Sequence, residues 1–437
     1  MKEMSKAEPP EEASEPAARR LTVLVLDEWV PFPPDTGKRV RTWNLLRRLA
    51  RRHRISLLCY GKPGSEVESA VCSAGIHLHT VTPLAGQDAW RLYPRLAANL
   101  FSPFPFSVTK HYTKRFQMRL KEILAKEHFD LVHCEWAPYA RFLSIVDRVP
   151  TMVMAHNIES QIWSRRALQS RNLAERVFFS LQAHKMESFE RHVLTRVGRV
   201  AAVTALDAEQ LAAWGVRHIS LVENGVDLDQ FVPREEPPQL DHILFCASLD
   251  WYPNLDAMDY MLEEIMPPIV QRLPGIKLRI VGKGPPIGLQ KRLAGRASVE
   301  FVGEVPDVRP YLAKAPAVVV PLRIGGGSRI KILEALAMGK AVVSSSIGAE
   351  GLAVSDGVHL LLADTPADFA SRVVELLTSP HRSQRLGENG RRLVVDRYSW
   401  DRAANALESA WQQACEPCRT TTSVGSIPEQ QGAEIVP

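Results

Sequence analysis

Short apolar runs separated by longer amphipathic stretches dominate the chain. LTVLVL (21–26), ISLLCY (55–60), FDLVHCEW (129–136), TMVMAHN (151–157) and VAAVTA (200–205) are strand-sized. Between them, 40–52, 115–127 and 173–195 read as helices. Apolar runs without polar alternation suit strands covered on both faces, and intervening helices imply a parallel sheet. Near 226–240 the alternation stops. VDLDQFVPREEPPQLD, rich in proline and acids, reads as a linker. The pattern resumes with HILFCAS (242–248), a helix around 255–272, LRIVG (278–282), VEFVG (299–303), AVVVPL (317–322) and AVVSSS (341–346). Residues 366–394 and 400–414 read as helices. Two doubly wound α/β domains follow, 21–225 and 241–397, joined by 226–240. Trp400, Ala403, Ala404, Leu407 and Trp411 give 398–414 one apolar face, expected to pack back on the first domain.

At 437 residues the chain has room for two or three domains, and the pattern selects two. Residues 1–20 and 415–437 are polar and expected to be disordered. The N-terminal stretch has no apolar core of a secretion signal, and no apolar run nears the ~18–20 residues of a membrane span. Cys59, Cys134 and Cys246 lie inside strand-like runs and are expected to be core thiols. Cys415 and Cys418 form one C-x-x-C without the second pair of a structural zinc site. The expected compartment is the cytoplasm, with docking at the inner face of the cell membrane left open.

Charge divides the chain. Residues 21–225 carry 28 basic and 18 acidic side chains, net +10, whereas 226–437 carry 22 and 26, net −4. The basic half favours an anionic partner: a phosphorylated ligand, an acidic membrane or nucleic acid. The basic segment 91–126 interleaves Leu92, Tyr93, Leu100, Phe101, Phe104, Phe106 and Tyr112, which suits an anionic membrane surface or a lipid-linked acceptor. No nucleic-acid module motif accompanies it, so no nucleic-acid partner is expected.

In open parallel sheets ligands bind beyond the carboxyl ends of the strands. The segment 321–352, PLRIGGGSRIKILEALAMGKAVVSSSIGAEGL, runs from a buried strand through Gly325, Gly326, Gly327 and Ser328 into a helix. Glycines allow close backbone approach, and a helix N-terminus favours an anion. Arg329 and Lys331 add full positive charges there, and Glu334 follows to accept hydrogen bonds from sugar hydroxyls.

This segment resembles the donor-binding signature of glycosyltransferase family 4, retaining enzymes of the GT-B fold. That signature has two glutamates eight positions apart and then EAMA-x-G-x-PVV. Glu334 matches the second, and Gly326 stands where the first would be. The sequence is similar to members with a Gly-rich stretch followed by R-x-K-x-x-E. The resemblance extends in order over 21–414. It implies that Gly37, in VPFPPDTGKRV, lies near the donor phosphate. It implies that His156 faces the reacting sugar, with His133 and Asn157 on the acceptor side. It also implies that Gly282, Gly284 and Gly303 pass close to the nucleobase, and that Asn224, Gly225 and Asp227 form turn and hinge. Relatives carry an Arg and a Lys after the first strand of the second domain. Here Ser248 and Pro253 or Asn254 occupy those positions, and Arg329 and Lys331 are expected to replace the charges.

The implied activity is sugar transfer from a nucleotide-sugar donor to a hydroxyl of a glycan or lipid-linked acceptor in cell-envelope glycan synthesis. His156, Arg329, Lys331 and Glu334 are the expected catalytic set. The donor-binding set is Gly37, Gly282, Gly284, Gly303, Gly326, Gly327 and Ser328. No cofactor and no metal is expected, since Asp227-Leu-Asp229, an Asp-x-Asp pair, falls in the linker. A nucleotide-sugar epimerase of the same fold and a non-catalytic nucleotide-sugar-binding protein are the alternatives.

Overall fold

The computed structural model describes residues 19–61, 64–83, 92–170, 172–234, 236–325 and 329–416. A seven-stranded sheet comprises β1 (Thr22–Trp29), β2 (Arg54–Tyr60), β3 (Ile76–Val81), β4 (Leu131–Cys134), β5 (Thr151–Ala155), β6 (Arg199–Ala202) and β7 (Ile219–Leu221). Their order is 3-2-1-4-5-6-7, and every pairing is parallel. A second parallel sheet comprises β8 (His242–Cys246), β9 (Lys277–Val281), β10 (Val299–Gly303), β11 (Val318–Val320), β12 (Val342–Ser344) and β13 (Leu361–Leu362), in the order 10-9-8-11-12-13. Each sheet reverses its winding next to its first strand, between β1 and β4 and between β8 and β11. Such switch points open a crevice at the strand carboxyl ends.

The central strands are apolar throughout because helices cover both faces: Val23, Leu24, Val25 and Leu26 of β1 are all fully buried. Three strands escape the sequence pattern for physical reasons. β3, IHLHTV, is an edge strand whose buried positions are interrupted by accessible ones. β7 and β13 span three and two residues, too short to show a period. The expected 366–394 helix is two helices, Pro366–Thr378 and Pro380–Arg397. Pro380 has no N–H for the i→i−4 bond, so the chain restarts there. Cys59 and Cys134 are buried, and burial raises both thiols well above the ordinary range. Cys418 and the stretches 1–18 and 417–437 lie outside the described residues.

The helix Trp400–Cys415 leaves the second domain and joins the core of the first. Trp400, Ala403, Ala404, Leu407 and Trp411 pack with Leu21, Val23, Val25, Leu45 and Leu49. The outgoing linker and this returning segment run side by side. Val226 bridges Ser399, and its N–H donates to Tyr398 O at 2.9 Å. A Cβ on Gly225 would stand 2.6 Å from Trp400 N, so only glycine lets the two chains lie this close. Arg41, buried in the helix Gly37–Leu49, donates to Val222 O (2.6 Å), Glu223 O (2.9 Å) and Asn224 Oδ1 (2.6 Å), tying that helix to the start of the linker.

Candidate active site in the interdomain cleft

In the second domain, β8 and β9 end in loops that touch. Gly282 takes φ 155°, and a Cβ there would lie 1.7 Å from Ala247 O. Its N–H donates to Gly303 O at 2.8 Å. At Gly284, φ is 75° and a Cβ would lie 2.9 Å from that of Asp250. Three of the glycines expected to meet the donor thus share one surface at the sheet's carboxyl edge. Gly326, Gly327 and Ser328 lie outside the described residues.

The helix Ile330–Ala337 begins beside this surface. Lys331 Nζ donates to Asn254 Oδ1 at 2.8 Å, and Asn254 Nδ2 donates to Ser248 O at 2.7 Å. The ammonium therefore touches Asn254, which in turn is tied to the Ser248 backbone, the two positions at which the resemblance implied cations. Among the described residues Lys331 makes no ion pair. Burial pulls it down to about 8, and burial pushes Glu334, one turn on, up to about 8. Arg329 is placed differently. It is 4 % exposed, and its Nη2 lies 3.3 Å from Glu350 Oε2 while Nε donates to Glu350 O at 3.2 Å.

On the first domain, His156 follows β5 and stands with its Nε2 3.4 Å from Glu135 Oε1. Glu135, at the carboxyl end of β4, is 1 % exposed and meets His133 Nε2 at 2.8 Å and Thr42 Oγ1 at 3.0 Å. Burial alone would raise the Glu135 carboxyl, but the two imidazoles hold it well below the ordinary range. His133 is fully buried. Trp411 Nε1 donates to its Nδ1 at 2.7 Å. Indole only donates, so Nδ1 is an acceptor and the His133 proton sits on Nε2, toward Glu135. The expectation that His133 meets an acceptor is corrected here: its ring is fully enclosed by protein, between Trp411 and Glu135. Asn157 Nδ2 donates to the half-buried Glu159 Oε1 at 3.2 Å, beside the donation from Trp136 Nε1 at 2.8 Å. Gly37 opens the helix Gly37–Leu49, where Thr36 caps the N-terminus.

Two ionic bridges join the walls. Asp35, two residues before Gly37, pairs with Lys283, between Gly282 and Gly284. Arg165, on the helix Glu159–Gln169, donates to Gly325 O and takes Glu350 in both hands, at 2.8 and 2.7 Å. A cleft of about 580 Å³ lies beside the second bridge, lined by Gln161, Arg165, Thr204, Asp207, Arg329 and Glu350 among others. Lys331 and Glu334 do not line it. Glu135, Arg165 and Glu350 were not among the sequence candidates. Glu135 stands at a strand end as His156 does, so the same rule could have found it. Arg165 and Glu350 meet only in the fold.

One His/Glu group among the described residues has ligand-like spacing: His77, His79 and Glu127, at the outer edge of the first sheet. Arg119 Nη2 lies 3.4 Å from His79 Nδ1. A guanidinium only donates, which leaves the His79 proton on the nitrogen that faces Glu127 and opposes metal binding there. Of the aromatics expected to face a membrane, Phe104 and Tyr112 pack against protein, and the side chains of Leu92 and Tyr93 lie outside the described residues. Phe104 packs on Phe189, and Arg141 stacks on Phe104 and Tyr112. Phe101 (92 % exposed) and Leu100 stay outside.

Comparison with known proteins gives consistent results. The model "Glycosyltransferase Family 4" matches residues 36–230, and "Glycosyl transferases group 1" matches 241–379. The chain is 30 % identical over 230 residues to the phosphatidyl-myo-inositol mannosyltransferase of Mycobacterium tuberculosis, a match covering 49 % of this chain and 59 % of that protein. It is 24 % identical to the MMP alpha-(1->4)-mannosyltransferase of Mycolicibacterium hassiacum, covering 69 % of this chain and 75 % of the relative. The chain thus spans about three fifths of the mycobacterial phosphatidyl-myo-inositol enzyme. Sucrose-phosphate synthase from Thermosynechococcus elongatus superposes with a TM-score of 0.67 at 17 % identity, covering 90 % of this chain and 99 % of that one. Anabaena HepE in complex with UDP and glucose superposes with a TM-score of 0.63 at 12 % identity, covering 90 % and 100 %.

Proposed function

The chain belongs to glycosyltransferase family 4 with the GT-B fold, and from that membership we propose that it transfers a hexose from a nucleotide-sugar donor to a hydroxyl of a cell-envelope glycan or glycolipid. The observation that carries this reading is Lys331. It is a half-buried ammonium at a helix start, held by an amide oxygen and facing no carboxylate in ion-pair contact among the described residues. A site that desolvates a cation without pairing it favours an incoming anion.

Breaking the sugar–phosphate bond builds positive charge on the ring and negative charge on the leaving diphosphate. Fixed positive groups stabilise that change without reorganising. Lys331, Arg329 and the N-termini of the helices Gly37–Leu49 and Ile330–Ala337 supply them. Glu334 accepts from donor hydroxyls. His156, oriented by Glu135, faces the sugar. Closure of the two walls excludes water, so transfer outcompetes hydrolysis. The charge supply also leads us to expect transfer without a metal, with the anomeric configuration retained as the family signature implies. The acceptor reading draws on the relatives, one of which is named for a phosphatidyl-inositol substrate. Leu100 and Phe101 offer a small apolar contact to a membrane carrying such an acceptor.

A panel of nucleotide sugars read by thermal shift tests the donor. A ligand at ~100 times its dissociation constant adds about 2.7 kcal/mol of stability. One sugar–nucleotide pair should raise the melting temperature of the wild type and not of Lys331→Met. Acceptor-dependent release of the nucleoside diphosphate, unchanged by EDTA, should follow with that donor. No response to any pair would overturn the reading, and rapid epimer formation without acceptor would favour the epimerase alternative.

A further inference from the structure

We propose that Arg165 is a positioning residue that charges the donor site when the domains close. The inference rests on the transferase reading and concerns residues of the opposite domain. Arg165 lies on the helix Glu159–Gln169, which packs with the long helix Leu173–Leu194 as a hairpin of the first domain. This hairpin contacts the second domain through two arginines, and Thr204, after β6, adds a third contact from the first domain. Arg165 binds Gly325 O and Glu350. Arg166 is sandwiched between the rings of Phe179 (4.1 Å) and Tyr252 (3.9 Å), one from each domain. Behind them, Gly351 at φ 80° packs on Thr204; a Cβ there would lie 2.3 Å from Thr204 Cγ2.

Glu350 is the shared element. It belongs to the second domain, as Arg329 does, so their pairing persists when the domains part. Alone with Arg329, Glu350 would neutralise it and weaken the attraction for a diphosphate. In the closed form the carboxylate gives its better geometry to Arg165, two contacts at 2.8 and 2.7 Å against a single 3.3 Å contact to Arg329. Bidentate guanidinium–carboxylate pairs are the stronger arrangement. Two guanidiniums then share one carboxylate, so Arg165, Arg329 and Glu350 together carry one net positive charge beside Gly325, which Asp207 and Glu209 on the far side of the cleft offset only in part. Asp207 lines the same cleft, but its carboxylate accepts the Thr204 hydroxyl at 2.7 Å and is in ion-pair contact with neither arginine. Arg165 also holds the Gly325 carbonyl, so closure fixes that carbonyl together with the charge.

The proposal separates charge release from mere packing. UDP and GDP binding would be measured by calorimetry for the wild type, Arg165→Gln, Arg165→Lys, Glu350→Gln and the Arg165→Gln/Glu350→Gln double variant, with thermal melts as a folding check. Arg165→Gln should weaken binding of the preferred diphosphate by about tenfold. Glu350→Gln should bind at least as tightly as the wild type. The double variant should recover most of the loss, because nothing then neutralises Arg329. Arg165→Lys should fall between, keeping the charge but losing the fork. Wild-type binding by Arg165→Gln, or a double variant no tighter than Arg165→Gln, would overturn the proposal and leave the transferase reading standing. If the wild type binds neither diphosphate, the transferase reading and the proposal fall together.

Discussion

Lys331 exchanges much of its water for a single amide oxygen, and its pKa falls to about 8 through burial. A bound diphosphate favours the charged form and raises that pKa, so binding above pH 8 must take up a proton. Diphosphate affinity should therefore hold steady below about pH 8 and fall above it, by up to tenfold per unit, until the pKa of the complex is reached. Lys331→Arg stays charged and should lose affinity less steeply over the same range, keeping only the fall that ionisation of Glu334, itself pushed up to about 8, produces. A flat wild-type profile would refute the assignment. Gly282 is a second residue-scale test. Gly282→Ala places a methyl against Ala247 O in a backbone conformation that disfavours side chains, so about 1–3 kcal/mol of stability should be lost, with donor binding. Urea unfolding together with the ligand thermal shift reads both effects. At this scale the helix-borne residues were legible, since Arg329, Lys331 and Glu334 follow glycines after a strand. Glu135, at the end of β4, was open to the same strand-end rule as His156. Glu350 was not, because its partner Arg165 lies 185 positions away.

The strands of both sheets were visible wherever helices cover them on two faces, because burial then leaves an unbroken apolar run. Edge and very short strands were not, because exposure or brevity removes the run. The returning helix Trp400–Cys415 shows what its apolar stripe accomplishes. Trp411 fills the first domain's core and donates to His133, which in turn supports Glu135 beneath His156. Trp411→Phe keeps most of the volume but leaves a buried imidazole nitrogen without its donor, at a cost of about 1–3 kcal/mol. Trp411→Ala also opens a cavity and should cost about 3–5 kcal/mol. If Glu135 is oriented through this chain, Trp411→Phe should lower kcat more than it raises the donor KM. Equal turnover in the two proteins would confine the helix to a structural role.

Across the whole molecule, the two covalent crossings and the two ionic bridges act at different places. Gly225–Val226 and Tyr398–Ser399 lie together, so both chain crossings can bend as one hinge. Asp35–Lys283 and Arg165–Glu350 span the cleft between walls that this hinge allows to part. Partly exposed pairs of this kind contribute about 0.2–1 kcal/mol each, so in the empty protein closure is a near-balanced equilibrium that salt can tip. At 1 M salt the screening length falls to about 3 Å, and the bridges lose most of their attraction. Small-angle scattering should then show a larger radius of gyration for the empty protein at high salt than at low salt. A saturating nucleoside diphosphate should restore the compact value, because its phosphates engage both walls. Lys283→Ala should show the expanded form already at low salt and close again with ligand. A radius independent of salt, ligand and Lys283 would mean that the walls are held together by packing alone, and that donor binding does not draw on closure.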